Sequence, residues 1–450
     1  MPIYTHRSPM PVPAADLYAW HARPGALQRL LPPWDATEVV EQVGGVADGR
    51  VTLSIPIGPV RVRWVAQHRD NVEGRQFVDA QVEGPFGHWV HTHRFEDHGA
   101  GSELVDEVDW GMKPGAWFDG MSAGKVESIL RRMFTFRHAR TRADLERHAR
   151  SSRRPLKVAI SGARGLVGNE LIPFLTTGGH TVLRLVRGRP GPGDVEWDPG
   201  QGRMDTAALE GIDAFLHLSG ETISQRWTEA AKVEMRRSRV ETTDLVARSL
   251  AGMARPPRRL IVASAIGYYG DRGDEALTEA SPAGVGFLPD LCTAWEAAAD
   301  PARKAGIQVV HPRIGVVLSA RGGALGQLLT PYSMGAGGPV GSGRQYMSWI
   351  AMDDLLGVLL HLITSDISGP VNTTAPNPAT SADFAQTLGT VLRRPAVIPL
   401  PAFAVKLMFG EMGERLLLEG ARVLPEALLS DGFQFGHPDL AAALRFELGR

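Results

Sequence analysis

The feature that most constrains this fold is a short apolar run that leads directly into three closely spaced glycines. Lys157–Ile160 is predicted to be a strand, and Ser-Gly-Ala-Arg-Gly-Leu-Val-Gly follows it over residues 161–168. At this spacing Gly162 permits a tight turn, Gly165 lets the backbone approach a ligand, and Gly168 lets a helix pack against the strand. A helix that begins here offers unpaired N–H groups to an anion. The pattern therefore predicts a phosphate-binding turn.

The chain after this turn alternates between strand-like and helix-like segments. Further strands are expected at Val182–Val186, Ala214–Leu218, Leu260–Ala263 and Gln308–Val310, with helical stretches at Glu170–Thr176, Glu229–Ala251 and Cys292–Ala305. Strands and helices alternating at this spacing predict a doubly wound parallel sheet, an α/β fold of the Rossmann type. A glycine turn after the first strand of such a sheet is the context in which a dinucleotide's pyrophosphate binds.

The end of the second strand distinguishes NAD from NADP. An NAD site usually ends this strand with Asp or Glu, which holds the ribose hydroxyls. Here Val186 is followed by Arg187-Gly-Arg189, and no acid occurs before Asp194. Arg187 can pair with a 2′-phosphate, helped by Arg189 or Arg164. The sequence favours NADP(H).

The first 150 residues have a different pattern, with short runs in which apolar and polar residues alternate. These runs lie at Val51–Ile55, Val60–Trp64, Phe77–Val82, Trp89–Phe95 and Glu103–Asp109. Alternation with period two predicts half-buried antiparallel strands. Helical spacing of apolar residues is expected between Pro13 and Leu31, and a long helix from Phe118 to Ala149. This order of elements predicts an α+β domain.

That element order, with a Pro-x-x-x-Leu-Tyr-x-Trp-His opening at residues 13–21, resembles the helix-grip fold of the polyketide cyclase and lipid-transfer (START-like) superfamily. The resemblance implies a long helix that closes a curved sheet over an apolar ligand. The expected organisation is a helix-grip domain over 1–150, a linker over 151–155 and a Rossmann domain over 156–450. Pro155 would end any helix before it.

Composition excludes several classes of partner. A net charge of −1 argues against a nucleic-acid partner held by a bulk basic field. The best apolar run, Leu355–Ile363, is far shorter than the roughly 18 residues of a membrane span, and the N-terminus has no apolar signal core. Cys292 is the single cysteine, which fits a reducing compartment. We therefore expect a cytoplasmic protein with a small-molecule partner and no membrane insertion.

Arginines are concentrated between the two predicted domains. They are Arg131, Arg132, Arg137, Arg140, Arg142, Arg147, Arg150, Arg153 and Arg154. An acidic partner or a membrane surface is one interpretation of such a run. The interpretation that charge runs more often support is a solvated helix face followed by a polar linker.

Several ordered motifs after the glycine turn resemble the extended short-chain dehydrogenase/reductases, and specifically the atypical "epimerase family" of nucleoside-diphosphate-sugar epimerase-like proteins. The segments that carry this resemblance are His217–Gly220, Ser238–Thr243, Ser264–Gly270, Trp295–Ala298, Arg313–Leu318, Gly337–Gly343, Trp349–Asp354, Ala375–Pro378, Gly410-Glu411 and Gly432–Phe435. The resemblance covers residues 156–450, with 400–450 as a family-specific C-terminal segment, and some members carry an N-terminal START-like domain.

What the resemblance implies is an NADP-binding protein of the oxidoreductase or epimerase type with an unassigned substrate. By position, together with the glycine turn, the implied cofactor contacts are Gly162, Arg164, Gly165, Leu166, Val167, Gly168, Arg187, Leu218, Ser219, Gly220, Glu234, Arg239 and Val317.

The proton-transfer residues depart from the superfamily pattern. Ordinary members place Tyr and Lys at Tyr-x-x-x-Lys spacing, where the ammonium lowers the pKa of the phenol. Here Cys292 stands in the Tyr position and Glu296 in the Lys position. Tyr269 is the first candidate for a substitute acid and Ser264 the second, with Tyr268 and Cys292 nearby. For each the alternative is packing or a hydrogen bond that orients the loop.

Three other patterns have both a functional and a structural interpretation. His88-x-x-His91-x-His93 suggests a metal site, but no third ligand is evident in the sequence, so residues lining the sheet are expected instead. Asp353-Asp354 suggests paired carboxylates, although a helix start with one Asp as N-cap explains them. The glycine-rich Gly322–Gly343 suggests a mobile loop over a substrate cleft.

Three hypotheses about function remain open from the sequence. The first is an NADP(H)-dependent reductase or epimerase that acts on a small or hydrophobic compound. The second is a binding module in which NADP(H) occupancy tunes ligand capture without turnover. The third is a fusion in which the first domain only stabilises the second. The intact cofactor turn favours the enzyme, whereas the missing Tyr/Lys pair favours the binding module.

Overall fold

The computed structural model describes residues 2–112, 123–151 and 154–450. The expected helix start at Phe118 and the linker residues 152 and 153 lie outside this range. The chain divides into two compact units: one comprises Met1–Arg153, Pro173–Gly179 and Gly449, and the other comprises Arg154–Ile172, His180–Leu448 and Arg450.

The first unit is built on a seven-stranded antiparallel sheet. Its strands are β1 (Ile3–Met10), β2 (Glu38–Val43), β3 (Arg50–Ile57), β4 (Val60–Val72), β5 (Gln76–Glu83), β6 (Phe86–His98) and β7 (Gly101–Met112), in the spatial order β1-β7-β6-β5-β4-β3-β2. In β6 every second side chain from Trp89 to Phe95 is buried, which is the alternation that predicted the strand. The α+β helix-grip expectation is confirmed.

Three helices complete this unit: α1 (Ala14–Ala22), α2 (Ala26–Leu30) and α3 (Ala123–Ser151). The helical region expected between Pro13 and Leu31 is divided because Pro24 and Gly25 interrupt it, and Gly25 takes a φ of +96°. The arginines of α3 are not all solvated, contrary to expectation. Arg140 is 1% exposed and its guanidinium lies 4.5 Å from the centre of the Phe136 ring.

The second unit contains a nine-stranded, mainly parallel sheet. Its strands are β8 (Lys157–Ser161), β9 (Thr181–Val186), β10 (Asp194–Asp198), β11 (Arg203–Met204), β12 (Ala214–His217), β13 (Arg259–Val262), β14 (Ser264–Ala265), β16 (Gln308–Ile314) and β20 (Gly369–Thr373), and β15 (Ala276–Leu277) lies outside this sheet. The path β10-β9-β8-β12-β13-β16 is the doubly wound order 3-2-1-4-5-6. The order reverses between β8 and β12, where such sheets bind ligands.

The remaining strands form short pairs beside this sheet, and helices connect the elements. The strands are β17 (Val316–Leu318), β18 (Tyr346–Met347), β19 (Trp349–Ala351), β21 (Ala379–Thr380) and β22 (Arg422–Val423), and the helices are α4 (Leu166–Thr177), α5 (Glu229–Ala251), α6 (Phe287–Ala297), α7 (Asp300–Lys304), α8 (Gly323–Ser333), α9 (Met352–Thr364), α10 (Ser381–Leu392), α11 (Ala402–Gly413), α12 (Glu426–Ser430) and α13 (Leu440–Leu448). Within the described ranges, no helix combines the length and apolar character that a membrane crossing requires.

Two sequence expectations for this unit were wrong. Gly322–Gly343 is not a loop throughout, because α8 occupies its first half. Neither Asp353 nor Asp354 is an N-cap, since α9 begins at Met352 after Ala351. Asp354 is fully buried, and its carboxylate accepts the backbone N–H groups of Gly436 and His437, each at 2.8 Å. It therefore fixes the C-terminal segment to the Rossmann domain.

Candidate functional site

The glycine turn joins β8 to α4 at the carboxyl edge of the parallel sheet. Gly162 has a φ of +78°, and its carbonyl oxygen accepts the N–H of Gly165 at 3.0 Å. A Cβ on Gly162 would lie 2.7 Å from the carbonyl carbon of Leu218, and one on Gly168 would collide with the turn itself. A Cβ on Gly165 would meet only the Gly162 oxygen, at 3.3 Å. Gly162 and Gly168 thus serve packing, whereas Gly165 leaves a backbone surface open to a phosphate.

Two arginines lie near the glycine turn: Arg187 follows β9, and Arg164 is in the turn itself. β9 pairs in parallel with β8, so Arg187 emerges at the same edge as the glycine turn. Arg187 and Arg164 are exposed, and neither takes part in an ion pair within the described ranges. Asp194, the first acid after the strand, is already engaged: it lies 2.7 Å from Arg184 Nε and accepts the N–H of Gly191. The donor set therefore fits a 2′-phosphate better than ribose hydroxyls.

The segment after β12 forms the opposite side of the candidate cofactor site. A Cβ on Gly220 would lie 3.2 Å from Cζ of Arg239, which reaches back from α5. Burial lowers the pKa of Arg239, and its guanidinium lies 5.1 Å from the centre of the Trp295 ring. Glu234 does not join this group, because it forms a two-point ion pair with Arg237 on the surface of the same helix. The structure thus brings Arg239, but not Glu234, to the turn region.

The remaining implied contacts lie close to these residues. Ser219 follows Leu218 directly, and its backbone nitrogen is 2.9 Å from where a Gly162 Cβ would stand. Leu166 and Val167 begin α4. The backbone at Gly323 lies between the Leu166 side chain and the Val317 carbonyl, since a Cβ there would be 3.3 and 3.8 Å from them. The strand that carries Val317 therefore borders the turn.

A buried charge network stands where the superfamily places its Lys. Glu296 on α6 accepts two hydrogen bonds from Arg313, with N–O distances of 2.8 and 2.9 Å, and a third from the Ser264 hydroxyl at 2.7 Å. The side chains of Arg313 and Glu296 are 3% and 13% exposed. Burial opposes the charge on Arg313, but the bonds and the charge of Glu296 outweigh it and raise its pKa. The carboxylate at the superfamily's Lys position is thus neutralised by Arg313, for which the motifs predicted no role.

Tyr269 is held in the core rather than presented to a substrate. It is 0% exposed, and its hydroxyl donates to Asn372 Oδ1 at 2.6 Å and accepts a hydrogen bond from Arg313 at 3.0 Å, with the Thr278 carbonyl also 3.0 Å away. Burial, only partly offset by Arg313, raises the pKa of its phenol. These contacts favour the packing and loop-orienting interpretation, and we do not assign proton transfer to Tyr269.

Tyr268 differs from its neighbour in both exposure and partners. It is half-buried at the end of the 3₁₀ turn Ile266–Tyr269, and the Arg313 guanidinium lies 3.4 Å from the centre of its ring. Among the residues that the structure describes, its hydroxyl has no hydrogen-bond partner. Cys292 is buried against the Ala265 carbonyl, and burial, reinforced by Glu296, raises the pKa of its thiol to about 12. Tyr268 is thus the available phenol, and Cys292 is not a nucleophile at neutral pH.

His88, His91 and His93 of β6 do not form one cluster. His88 lies 3.0 Å from Asp109, away from the other two. His91 and His93 share a buried face, and Asp79 of the neighbouring strand lies beside them. Asp79 was missed because it is twelve residues from His91 in the chain. The only signal was its position within an alternating strand.

Known families match three parts of the chain. Residues 10–137 match the polyketide cyclase/dehydrase and lipid transport family, residues 158–374 match the NAD dependent epimerase/dehydratase family, and residues 400–447 match a domain of unknown function (DUF1731). These matches agree with the two resemblances drawn from sequence motifs.

Individual relatives are similar over the second part or over the whole chain. An epimerase family protein of Mycobacterium bovis is 43% identical over 298 residues, which is 65% of this chain and 98% of the relative. The crystal structure of a nucleoside-diphosphate sugar epimerase from Corynebacterium glutamicum is 35% identical with a TM-score of 0.82, covering 99% of this chain and 90% of that one. Human epimerase family protein SDR39U1, solved with NADPH, is 37% identical with a TM-score of 0.59, covering 65% of this chain and 99% of that one.

Proposed function

The chain belongs to the epimerase family of NAD(P)-binding proteins, and on that premise we propose that its Rossmann domain binds NADP(H) and reduces or epimerises a small or hydrophobic carbonyl or hydroxyl compound. The observation that carries the choice of cofactor is the contrast between Arg187, which has no carboxylate partner among the described residues, and Asp194, which is bound to Arg184. The relative solved with NADPH supports the same choice.

We assign the following contacts with NADP(H) to the residues of this chain. The backbone of the turn from Gly162 to Gly168 and the N-terminus of α4 hold the pyrophosphate. Arg187 and Arg164 pair with the 2′-phosphate, while Arg239 borders the cofactor beside Gly220. When bound, the cofactor supplies or accepts a hydride.

For the proton, we assign the hydroxyl of Tyr268. Arg313 holds the Tyr268 ring in place by stacking, and the Glu296 carboxylate holds Arg313. Ser264, the second candidate from the sequence, donates its hydroxyl to Glu296 and so positions this pair. It is a positioning residue in this scheme.

The first domain, by its match to the polyketide cyclase and lipid transport family, would hold an apolar ligand. Phe77 and Phe95 pack in its core cluster with Leu17 and Trp20, so the family match is what supports this assignment.

The cofactor assignment is tested by titrating the full-length chain with NADPH and with NADH. We expect tighter binding of NADPH, and Arg187→Ala should weaken NADPH by roughly 10- to 100-fold, the loss of one charge-assisted contact, while leaving NADH unchanged. Arg203→Ala is the matched control, since this exposed arginine lies on β11 and faces Asp198 at 3.8 Å. Equal affinities for the two cofactors in the wild-type chain would overturn the choice of NADP(H).

Turnover is tested by offering aldehydes, quinones and nucleotide sugars to the NADPH-loaded protein and following absorbance of the reduced nicotinamide. Tyr268→Phe should lower kcat by about 10²- to 10⁴-fold, the usual contribution of a positioned acid, with NADPH affinity unchanged. Full activity of Tyr268→Phe would reject its role.

A second candidate function is a non-catalytic NADP(H)-binding or sensing module. The observation that favours it is the absence of the superfamily's Tyr/Lys pair, whose two positions hold Cys292, which is buried, and Glu296. Tight NADPH binding with no turnover across the panel would support this module and reject the enzyme.

A further inference from the structure

Three neighbouring strands of the first unit bring four ionisable side chains to one buried face. β5 supplies Asp79, β6 supplies His91 and His93, and β7 supplies Asp106. Asp79 is directly opposite His91 in the register, and His93 is directly opposite Asp106. Because paired residues and residues two apart point to the same side of a sheet, the group is fixed by the strand pairing itself.

Asp79, His91 and His93 each place one ligand atom in the same small space. Asp79 Oδ2 lies 3.2 Å from His93 Nε2 and 3.8 Å from His91 Nδ1. All three atoms lie within 4.8 Å of one another. A tetrahedral Zn²⁺ with bonds of about 2.0 to 2.2 Å separates its ligand atoms by about 3.4 Å. The spacing of the three atoms brackets that value.

The opposite nitrogen of each ring faces a second carboxylate, Asp106. His91 Nε2 is hydrogen-bonded to Asp106 Oδ1 at 2.9 Å, and His93 Nδ1 lies 2.6 Å from the same oxygen. His138 of α3 holds Asp106 Oδ2 at 2.6 Å. A carboxylate behind the metal-binding histidines is the arrangement that fixes their tautomer and ring orientation in zinc sites. The contacts to Asp106 are at hydrogen-bond distance and too short for two ligands of one ion.

Two atoms of this cluster, neither of them among the three ligand atoms, make no hydrogen bond of acceptable direction. His93 is 5% exposed, yet its Nδ1 makes no hydrogen bond of acceptable direction despite the short distance to Asp106. The same holds for Asp79 Oδ1, which lies 2.6 Å from His68 Nε2. Arg137 of α3 already interacts electrostatically with both carboxylates. A divalent cation bound by Asp79 Oδ2, His91 Nδ1 and His93 Nε2 would replace the hydrogen bond that joins Asp79 to His93.

We propose that Asp79, His91 and His93 bind a Zn²⁺ ion in the first domain. Three protein ligands leave the fourth tetrahedral position for water or for an oxygen atom of a bound ligand. The Asp79 side chain is 22% exposed, which gives the ion a route to the two more deeply buried histidines. The site lies wholly within the first unit, and its test does not require NADP(H).

The test uses the full-length chain after treatment with a chelator. Zn²⁺ is titrated in competition with a chromogenic chelator, and Co²⁺ serves as a spectroscopic probe of the ligand set. We expect one ion per chain in the wild type. Asp79→Asn and His93→Gln should each weaken binding by more than about 100-fold, and Asp106→Asn by about 10- to 100-fold, as for residues behind the ligands.

The matched control is His88→Gln, which removes a histidine of the same strand that pairs with Asp109 instead. It should change the Zn²⁺ affinity by less than about twofold. Far-UV circular dichroism and the thermal transition show whether each variant folds. If the ligand variants fail to fold, X-ray absorption of the zinc-loaded wild type decides, because two imidazole ligands at about 2.0 Å are expected.

No stoichiometric binding by the wild type would overturn the proposal. So would binding that survives both ligand substitutions, or a zinc spectrum without two imidazoles.

Discussion

Replacing Arg313 with methionine would remove the cation from the buried pair at the centre of the candidate active site. Methionine keeps much of the side-chain volume, so the change is chiefly one of charge. Glu296 would then be left with the Ser264 hydroxyl as its remaining partner among the contacts described above. Removing one member of a buried pair usually costs about 3 to 5 kcal/mol, because the other charge stays buried without compensation.

A second substitution separates this electrostatic cost from lost packing. In the Glu296→Gln/Arg313→Met double variant the stranded charge is gone, and what remains is mainly the lost hydrogen bonds to Glu296 and Tyr269, about 1 to 3 kcal/mol. The double variant should therefore be more stable than Arg313→Met by roughly 2 kcal/mol. Arg248→Met is the control, since its partner Asp244 lies one turn away on an exposed helix face.

The assay is urea unfolding followed by pulsed hydrogen exchange of peptides that cover α6 and β16. Because these peptides belong to the second unit, their exchange reports the unfolding of that unit and not of the first. The Arg248 variant should leave the midpoint unchanged. Equal stability of Arg313→Met and the wild type, or a double variant no more stable than Arg313→Met, would refute the account of a charge-neutralising pair.

Two further predictions rest on single buried groups. Burial raises the pKa of the Cys292 thiol to about 12, so iodoacetamide at neutral pH should leave the folded chain unmodified. After denaturation mass spectrometry should show one added group. Rapid labelling of the folded chain would contradict this prediction. Burial lowers the pKa of His217 to about 3, so below about pH 6.5 the unfolded chain takes up a proton that the folded chain excludes, and stability falls as the pH drops. His217→Gln should reduce the loss of stability between pH 7 and pH 5 by about 2 kcal/mol, and an unchanged loss would exclude this source.

Features set by local patterns could be predicted from the sequence. The strand before Gly162 and the alternation along β6 depend on residues one to four positions apart, so periodicity was sufficient. The helix α5 likewise spans the residues that its sequence pattern predicted, Glu229–Ala251. The reversal of strand order between β8 and β12 follows from the handedness of parallel connections once those strands are known.

Features that arise from pairing between distant segments could not be predicted. The motif around Tyr269 allows it to be a proton donor. In the structure its hydroxyl is instead hydrogen-bonded to Asn372, which lies on another strand 103 residues later. Asp79 reaches His91 only through the register of β5 and β6. No single-sequence pattern encodes either contact. The expectation of a loop over Gly322–Gly343 was wrong for a different reason. The glycines of this segment obscured the helical pattern of α8, in which Leu325 is buried.

The Lys position shows why matching a site residue by residue gives an incomplete account of its chemistry. Read alone, Glu296 would place a negative charge in the site and raise the pKa of a neighbouring acid. In the structure Arg313 binds both oxygens of Glu296 and also stacks on Tyr268, so the pair as a whole carries no net charge. The charge of the carboxylate still acts on two neighbours: it adds to the burial that raises the pKa of Cys292, and it opposes the burial that lowers the pKa of His311. Loss of the Lys therefore does not by itself separate an enzyme from a binding module, because the cation that the site needs comes from a strand seventeen residues later.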